Sequence, residues 1–300
     1  MARRIVLGAF ALLVLAAAAH AQKPAPANQN AAPKVIQDPA EYKAYMAAFN
    51  TQDAAARAAA LEAFAQQYPK SVVLGEALAS EMAAWQSAGN AAKVEQTAHS
   101  LLALEPGNVR ALAIVVALDR AKAAAGDADA LNELCLHSTA GLRELVTWLK
   151  PAGMSDADFI LLSRQMSDIF NGAAGFCALQ SKDYSQARDW LTRAFAIDPT
   201  SLQDVYQLAV ADLEMKPLDA DGFWYCARAI HLAQGSSASS TAQAAAGIAA
   251  YCKAKYKTYH GVDDGWDALV AASAAQSAPP ASFARQITPA AAAPVPAPSQ

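Results

Sequence analysis

Apolar residues recur every three or four positions through the chain between residues 40 and 276, and short polar segments interrupt this pattern. A period near 3.6 residues predicts amphipathic helices. Prolines break the stretch at only five positions: Pro69, Pro106, Pro151, Pro199 and Pro217. The pattern therefore predicts about twelve long helices in six antiparallel pairs, near residues 40–67, 72–104, 109–149, 156–196, 202–234 and 239–275.

Three of the predicted helices end in similar segments, which read EAFAQQYPKS up to Ser71, SLLALEPGN up to Asn108 and RAFAIDPTS up to Ser201. In each, the apolar run stops before a proline, and a small polar residue follows that can cap the next helix. Pairs of helices that repeat in this way cannot bury their apolar faces alone, so they stack on their neighbours. The repeat predicts an all-α fold of the solenoid type.

Two details refine the helix boundaries. Asp38 to Glu41 and Ser155 to Asp158 have the pattern of a capping box, which predicts helix starts at both positions. The third pair is several residues longer than the others and breaks the period. Either inserted residues lengthen its helices, or the register of the repeat shifts there.

Composition agrees with close helix packing, because 78 of the 300 residues are alanine. Small side chains allow helix axes to approach within roughly 8–10 Å. Lys and Arg number 23 against 27 Asp and Glu. This acidic balance, without a face rich in Lys or Arg, argues against nucleic-acid binding.

The unit from Asn171 to Pro199 resembles a tetratricopeptide repeat (TPR). Gly175 occupies the small position where the two helices touch, and Ala187, Leu191 and Ala194 follow at the spacing of the family's second helix. The first helix departs from the family, with Asn171, Ala174 and Ala178 where Trp, Leu and Tyr are usual. The segments GFWYCARAI and YHGVDDGWD also look like those of exported repeat proteins of acidobacterial type.

The resemblance implies a right-handed superhelix over residues 39–276, in which the first helix of each pair lines a concave groove. Such a groove suits a peptide or a partner's helix. Transferred to this chain, the inner face includes Ala79, Ala83, Gly172 and Ala211, whose short side chains would let a partner approach. The residues expected to contact that partner are Glu76, Gln86, Arg120, Phe176, Asp204, Gln207 and Glu214. The alternative is that the three acids among them are ordinary solvated helix residues.

The first 21 residues have the features of a secretory signal: Arg3 and Arg4, an apolar stretch from Ile5 to Ala19, and the triplet Ala19-His20-Ala21. Cleavage is expected after Ala21, since the apolar stretch is short for a membrane anchor. The mature chain would then be periplasmic or secreted, with no membrane span. Residues 22–38 and 277–300 are rich in Pro and Ala, and we expect a flexible linker and a disordered tail.

The four cysteines, Cys135, Cys177, Cys226 and Cys252, are too widely spaced for a metal or redox motif. An oxidising compartment permits disulfides between them. The alternative is that each is a small buried residue within a helix. If disulfides form, the pair to test first is Cys226 with Cys252, since both lie in neighbouring C-terminal helices.

A search for chemistry finds no nucleophile elbow, no phosphate-binding loop and no HExxH motif. Cys135 and His137 would point to different faces of a helix, so we expect no metal site, and no cofactor is indicated. The stretch around His260, Asp263, Asp264 and Trp266 is interpreted as a helix end in which Gly261 closes one helix and one aspartate caps the next. Asp219 and Asp221 are interpreted as cap and loop residues.

The sequence thus predicts a non-enzymatic, exported TPR-like scaffold that binds a protein or peptide partner, with a role in envelope assembly as one hypothesis. The alternative is an envelope hydrolase or carbohydrate-binding accessory protein that uses the corner of His260, Asp263 and Trp266. A third hypothesis is a self-assembling protein, a homo-oligomer formed through a poorly capped end near Ala275.

Overall fold

The computed structural model describes residues 34–151, 153–235 and 239–290. The predicted signal peptide, residues 22–33 of the predicted linker and residues 291–300 lie outside these ranges. The described residues form twelve α-helices and one short 3₁₀-helix, with no strand among them. The prediction of an all-α fold is confirmed.

The α-helices agree with the six predicted pairs to within a few residues at each end. In chain order they are α1 (Pro39–Phe49), α2 (Ala54–Gln67), α3 (Leu74–Ser87), α4 (Ala91–Leu104), α5 (Val109–Ala125), α6 (Ala128–Leu145), α7 (Asp156–Gln180), α8 (Tyr184–Ile197), α9 (Leu202–Glu214), α10 (Asp221–Gln234), α11 (Ser239–His260) and α12 (Trp266–Ala275).

Short polar side chains start many of these helices by accepting a free backbone N–H of the first turn. The Asp38 carboxylate accepts the N–H of Ala40 at 2.8 Å, as the capping pattern predicts. At the start of α7, Ser155 Oγ accepts the N–H of Asp158 at 3.1 Å and donates to the Asp158 carboxylate at 2.7 Å. Both predicted helix starts are confirmed.

The long third pair owes its length to its helices. α5 has 17 residues and α6 has 18, whereas α3 and α4 have 14 each. Gly126 ends α5 in the left-handed region at φ 103°, and Asp127 then caps α6. Of the two explanations open at the sequence level, longer helices therefore account for the length of the third pair. The fourth pair is longer still, since α7 has 25 residues and α8 has 14, so the prediction that the third pair exceeds all the others is wrong.

The described chain divides into two compact units, which separate within α7. In the N-terminal unit, residues 34–173, each helix from α1 to α6 packs against the next one along the chain. One buried cluster includes Leu61, Phe64 and Ala77, and a second includes Met82, Trp85 and Leu101. This succession of consecutive contacts is the packing expected of solenoid helix pairs.

In the C-terminal unit, residues 174–290, α8 packs on α9, α9 on α10, and α10 on both α11 and α12. A single large buried cluster runs through it and includes Leu208, Phe223, Ile248 and Trp266. A disulfide between Cys226 and Cys252 joins α10 to α11. The pairing named from the sequence is confirmed, and none of the four cysteines, all in the described part of the chain, is free.

Glycines stand where two helices approach most closely. A Cβ on Gly175 would lie 2.5 Å from Leu191 Cγ of α8, which confirms the small position that the repeat pattern assigned. A Cβ on Gly222 of α10 would lie 2.8 Å from the Asp212 Cβ of α9. Any larger side chain at these two positions would push the helices apart.

Residues 277–290, assigned to the tail from their proline content, pack against the C-terminal unit. The side chains of Phe283 and Ile287 are buried, and the Phe283 ring contacts Trp224 with 5.2 Å between centroids. The Trp224 indole donates to the Ser277 carbonyl, and the Ala290 N–H donates to the Tyr259 carbonyl. These apolar contacts and hydrogen bonds together attach the segment to the helices.

Candidate functional site

Four residues predicted to line the groove lie on one side of α3: Glu76, Ala79, Ala83 and Gln86. We call them the α3 face. Glu76 is exposed and the other three are half-buried, whereas Ala77, Leu78 and Met82 of the same helix are in the core. The Glu76 carboxylate is 2.8 Å from Lys34 Nζ in an exposed ion pair. In the same unit, Arg120 is half-buried on α5.

The predicted groove residues of the C-terminal unit have structural roles in two cases. Asp204 is 3% exposed and accepts the Ser201 hydroxyl at 2.6 Å, so it belongs to the N-terminal cap of α9. Phe176 is 7% exposed and offers no open apolar surface. Gln207 remains half-buried on α9, at the partly accessible side of that helix.

Glu214, the last residue of α9, is engaged by α11. Its Oε1 accepts the Tyr251 hydroxyl at 2.9 Å and lies 2.7 Å from Lys255 Nζ. Burial, together with the nearby charge of Glu214, raises the pKa of Tyr251. The Glu214 carboxylate therefore ties α9 to α11.

A buried charge cluster in the C-terminal unit escaped the sequence analysis. Asp212 of α9 is 0% exposed, and its Oδ1 lies 3.1 Å from Arg188 Nε of α8. The same guanidinium reaches Asp219 with 2.7 Å between Nη2 and Oδ2. We call Arg188, Asp212 and Asp219 the Arg188 cluster.

Desolvation dominates the electrostatics of this cluster. Burial raises the pKa of Asp212 to about 7, with Asp219 and Asp221 adding to the rise and Arg188 opposing it. Burial likewise raises the pKa of Tyr225, nearby on α10, to about 12. A carboxyl in such surroundings is half-protonated near neutral pH, so its charge depends on conditions that leave exposed aspartates unchanged.

The sequence carried a signal for Asp212 that the search for motifs passed over. Val205, Leu208 and Ala209 are buried on α9, and Asp212 continues their spacing one turn further. An acid on the apolar stripe of a helix needs a partner from a neighbouring helix. Asp219, interpreted as a loop residue, also accepts the N–H of Asp221 at 3.0 Å, as that interpretation requires.

The polar side chains of the C-terminal corner do not converge on one another. His260 Nδ1 lies 2.9 Å from the Thr288 carbonyl oxygen, and Asp263 lies 3.3 Å from Lys253 Nζ. Gly261 has a φ of 92°, so it does end α11 in the left-handed region, but the residue before α12 is Gly265 and no aspartate side chain caps that helix. The cap assigned to Asp263 or Asp264 was wrong, because the turn places Gly265 at the helix start.

A cavity of about 600 Å³ lies beside this corner, between α10, α11 and α12. Asp263 and Trp266 line it, together with Lys253 and Lys257, whereas His260 and Asp264 are not among its lining residues. Trp266 is 4% exposed and serves mainly as core. The cavity thus brings together only two of the four residues that the sequence singled out.

No group of three or more potential metal ligands occurs within the described ranges. None of the helices described has both the length and the apolarity that a membrane span requires. Comparison with known proteins gives no match to a family model, to a curated protein or to a solved structure.

Proposed function

We propose that this chain is an exported helical-repeat scaffold that binds a protein or peptide partner. The observation that carries the proposal is the α3 face. It follows the spacing expected of a groove-lining first helix, and its residues are exposed or half-buried while the opposite side of α3 is buried, although Ala79 also packs against a core cluster. Two alanines at its centre leave room for a partner's backbone, and Glu76 and Gln86 at its ends offer hydrogen-bond acceptors.

The disulfide between Cys226 and Cys252 supports the proposal of export, because such bonds persist in oxidising compartments. The signal-like sequence of the first 21 residues supports it independently. The TPR-like spacing in the unit from Asn171 to Pro199 supports the idea of a binding groove. A role in envelope assembly is the process that we propose for such an exported scaffold.

The hydrolase or carbohydrate-binding alternative depends on the C-terminal corner. It is the weaker proposal, since His260 contacts a backbone carbonyl, Asp263 pairs with Lys253, and only Asp263 and Trp266 share a cavity. We therefore assign the function to the α3 face.

Site-specific photocrosslinking tests the proposal. A photoreactive residue at Ala83, at the centre of the α3 face, should crosslink a defined partner in an envelope extract. The matched control is the same residue at Ala92, which is exposed on α4 and belongs neither to the α3 face nor to a cavity lining. The Ala83→Arg variant, which fills the face without touching the core, should abolish capture of that partner. Equal crosslinking from Ala83 and Ala92 would mean that the α3 face is the wrong surface.

A further inference from the structure

A second cavity, in the N-terminal unit, lies between α2, α3 and α4 and has a volume of about 450 Å³. Its walls are partly apolar, with Leu74 and Leu78 from α3 and Leu104 from the end of α4. The polar lining residues are Glu62, Gln66, Glu81, Gln96, Thr97 and Ser100. Leu74, Leu78 and Glu81 lie on the side of α3 opposite the α3 face, because their positions differ by about half a turn from those of Ala79 and Ala83.

Glu81 is the unusual member of this lining, since it is a charged residue only 4% exposed. Its Oε1 accepts two hydrogen bonds from neutral donors, at 2.8 Å from Thr97 Oγ1 and 3.3 Å from Trp85 Nε1. Its Oε2 receives no hydrogen bond from any residue between 34 and 290 that the structure describes. One oxygen of a buried carboxylate is thus left for a group that enters the cavity.

No cation forms an ion pair with Glu81 within the described ranges. The nearest is Lys93 of α4, whose Nζ is committed to Glu62 of α2 at 2.6 Å. Burial raises the pKa of Glu81 and the charge of Glu62 adds to the rise, whereas the hydrogen bonds from Thr97 and Trp85 and the charge of Lys93 oppose it. The carboxylate carries a desolvation cost that the protein itself does not offset with a positive partner.

We propose that this cavity binds an aliphatic ammonium group, with Glu81 Oε2 as its acceptor and the leucines of α3 packed along its alkyl chain. A cation is the complement of a buried, unpaired carboxylate, and charge-assisted hydrogen bonds are the stronger kind in a partly dehydrated site. An alkyl chain with a charged end also matches a cavity that is lined by the leucines of α3 and by the Glu81 carboxylate. A lysine side chain of a peptide and a free amine carry the same group.

The site is separate from the α3 face, so it stands or falls independently of the proposed function. The probe is n-butylammonium chloride, titrated into the purified protein by calorimetry, with 1-butanol as the neutral counterpart. We expect butylammonium to bind and butanol not to bind. Glu81→Gln keeps an oxygen for Thr97 and Trp85 but removes the charge, and should weaken binding at least tenfold.

Two further variants keep the test decisive. Glu76→Gln removes one negative charge from the opposite side of α3 and should leave binding unchanged. Ser100→Phe alters an exposed lining residue, so the fold is retained while the cavity is filled, and binding should be lost. Butylammonium binding should also weaken as the pH falls through the raised pKa of Glu81, because protonation removes the charge.

The source of the ammonium group is read from a second ligand, N-acetyl-lysine methylamide. Binding of this compound with the same dependence on Glu81 identifies a peptide lysine, and binding of butylammonium alone identifies a free amine. The proposal is overturned if Glu81→Gln binds as well as the parent, if Glu76→Gln loses as much affinity, or if butanol binds equally.

Discussion

Each unit of this protein buries carboxylates, and two of them, Glu81 in the N-terminal unit and Asp212 in the C-terminal unit, have opposite surroundings. Asp212 in the C-terminal unit has a cation beside it, because Arg188 of α8 forms ion pairs with both Asp212 and Asp219. Among the residues that the structure describes, Glu81 in the N-terminal unit accepts hydrogen bonds only from the neutral donors Thr97 and Trp85, and it lines a cavity.

Comparing the two carboxylates separates charge that serves the fold from charge that is available to a ligand. Burial is the largest cause of a raised pKa in both groups, so a perturbed pKa does not distinguish them. What distinguishes them is the partner. A carboxylate that already has a cation beside it serves the fold, whereas one that lines a cavity and has no cation beside it can serve a ligand.

The largest expected effect comes from removing the cation. Arg188→Gln leaves Asp212 buried without its partner and should lower the free energy of unfolding at pH 8 by about 3 kcal/mol. At pH 5, where Asp212 is protonated, the loss should be smaller. Urea denaturation followed by circular dichroism at both pH values measures the difference. Arg193→Gln, an exposed arginine on the same helix, is the control and should change little.

The pH dependence of stability should follow from Asp212 itself. Its pKa is raised from 3.8 to about 7 in the folded state, so the folded protein holds a proton that the unfolded chain releases between these values. This contribution to stability is full at low pH and is lost as the pH rises toward 7.

Between pH 5 and pH 7 the free energy of unfolding of the parent protein should therefore fall by about 2 kcal/mol through Asp212. In Asp212→Asn this fall should be absent. Thermal unfolding at several pH values measures this contribution. An unchanged pH profile in the variant would contradict the assignment of that loss to Asp212. Asp189→Asn, an exposed aspartate of α8, provides the matched control.

A third prediction concerns the neutral partners of Glu81. Glu81→Ala leaves the Thr97 hydroxyl and the Trp85 indole without an acceptor in a buried site, and should lower the free energy of unfolding by about 1–2 kcal/mol. Glu81→Gln should cost less, because its amide oxygen can accept both hydrogen bonds. Chemical denaturation of both variants tests the ranking, and the reverse order would contradict it.

The smallest effect is expected at the exposed carboxylate of the α3 face. Lys34→Ala breaks the ion pair with Glu76, in which both side chains are about half exposed, and should cost less than about 1 kcal/mol. Raising the salt concentration should shrink even this difference. A loss as large as that of Arg188→Gln would remove the distinction between exposed and buried charge.

The sequence predicted the helices well because their signals are local. Proline breaks, polar caps such as Asp38 and Ser155, and the small residue Gly175 each act within a few residues or at one helix crossing. The cysteine pair was also identifiable, since adjacent antiparallel helices bring their side chains together.

The candidate site was harder to predict because it depends on which helix packs against which side chain. Asp204 was assigned to the groove, although Ser201 three positions earlier gives the pattern of a capping box. Phe176 falls on the predicted inner face but is buried. Glu81 and Asp212 are single acids on apolar stripes, and their partners come from other helices at distances along the chain that no local pattern reveals.

The packing of residues 277–290 has a consequence for the apolar surface that the C-terminal unit exposes to water. This segment covers the indole of Trp224 on α10, a helix of the fifth pair. A chain shortened after Gln276 would expose this indole to water and should self-associate, which size-exclusion chromatography would detect as an earlier elution. Residues 277–290 thus shield an apolar surface of the C-terminal unit on which a further helix could otherwise pack.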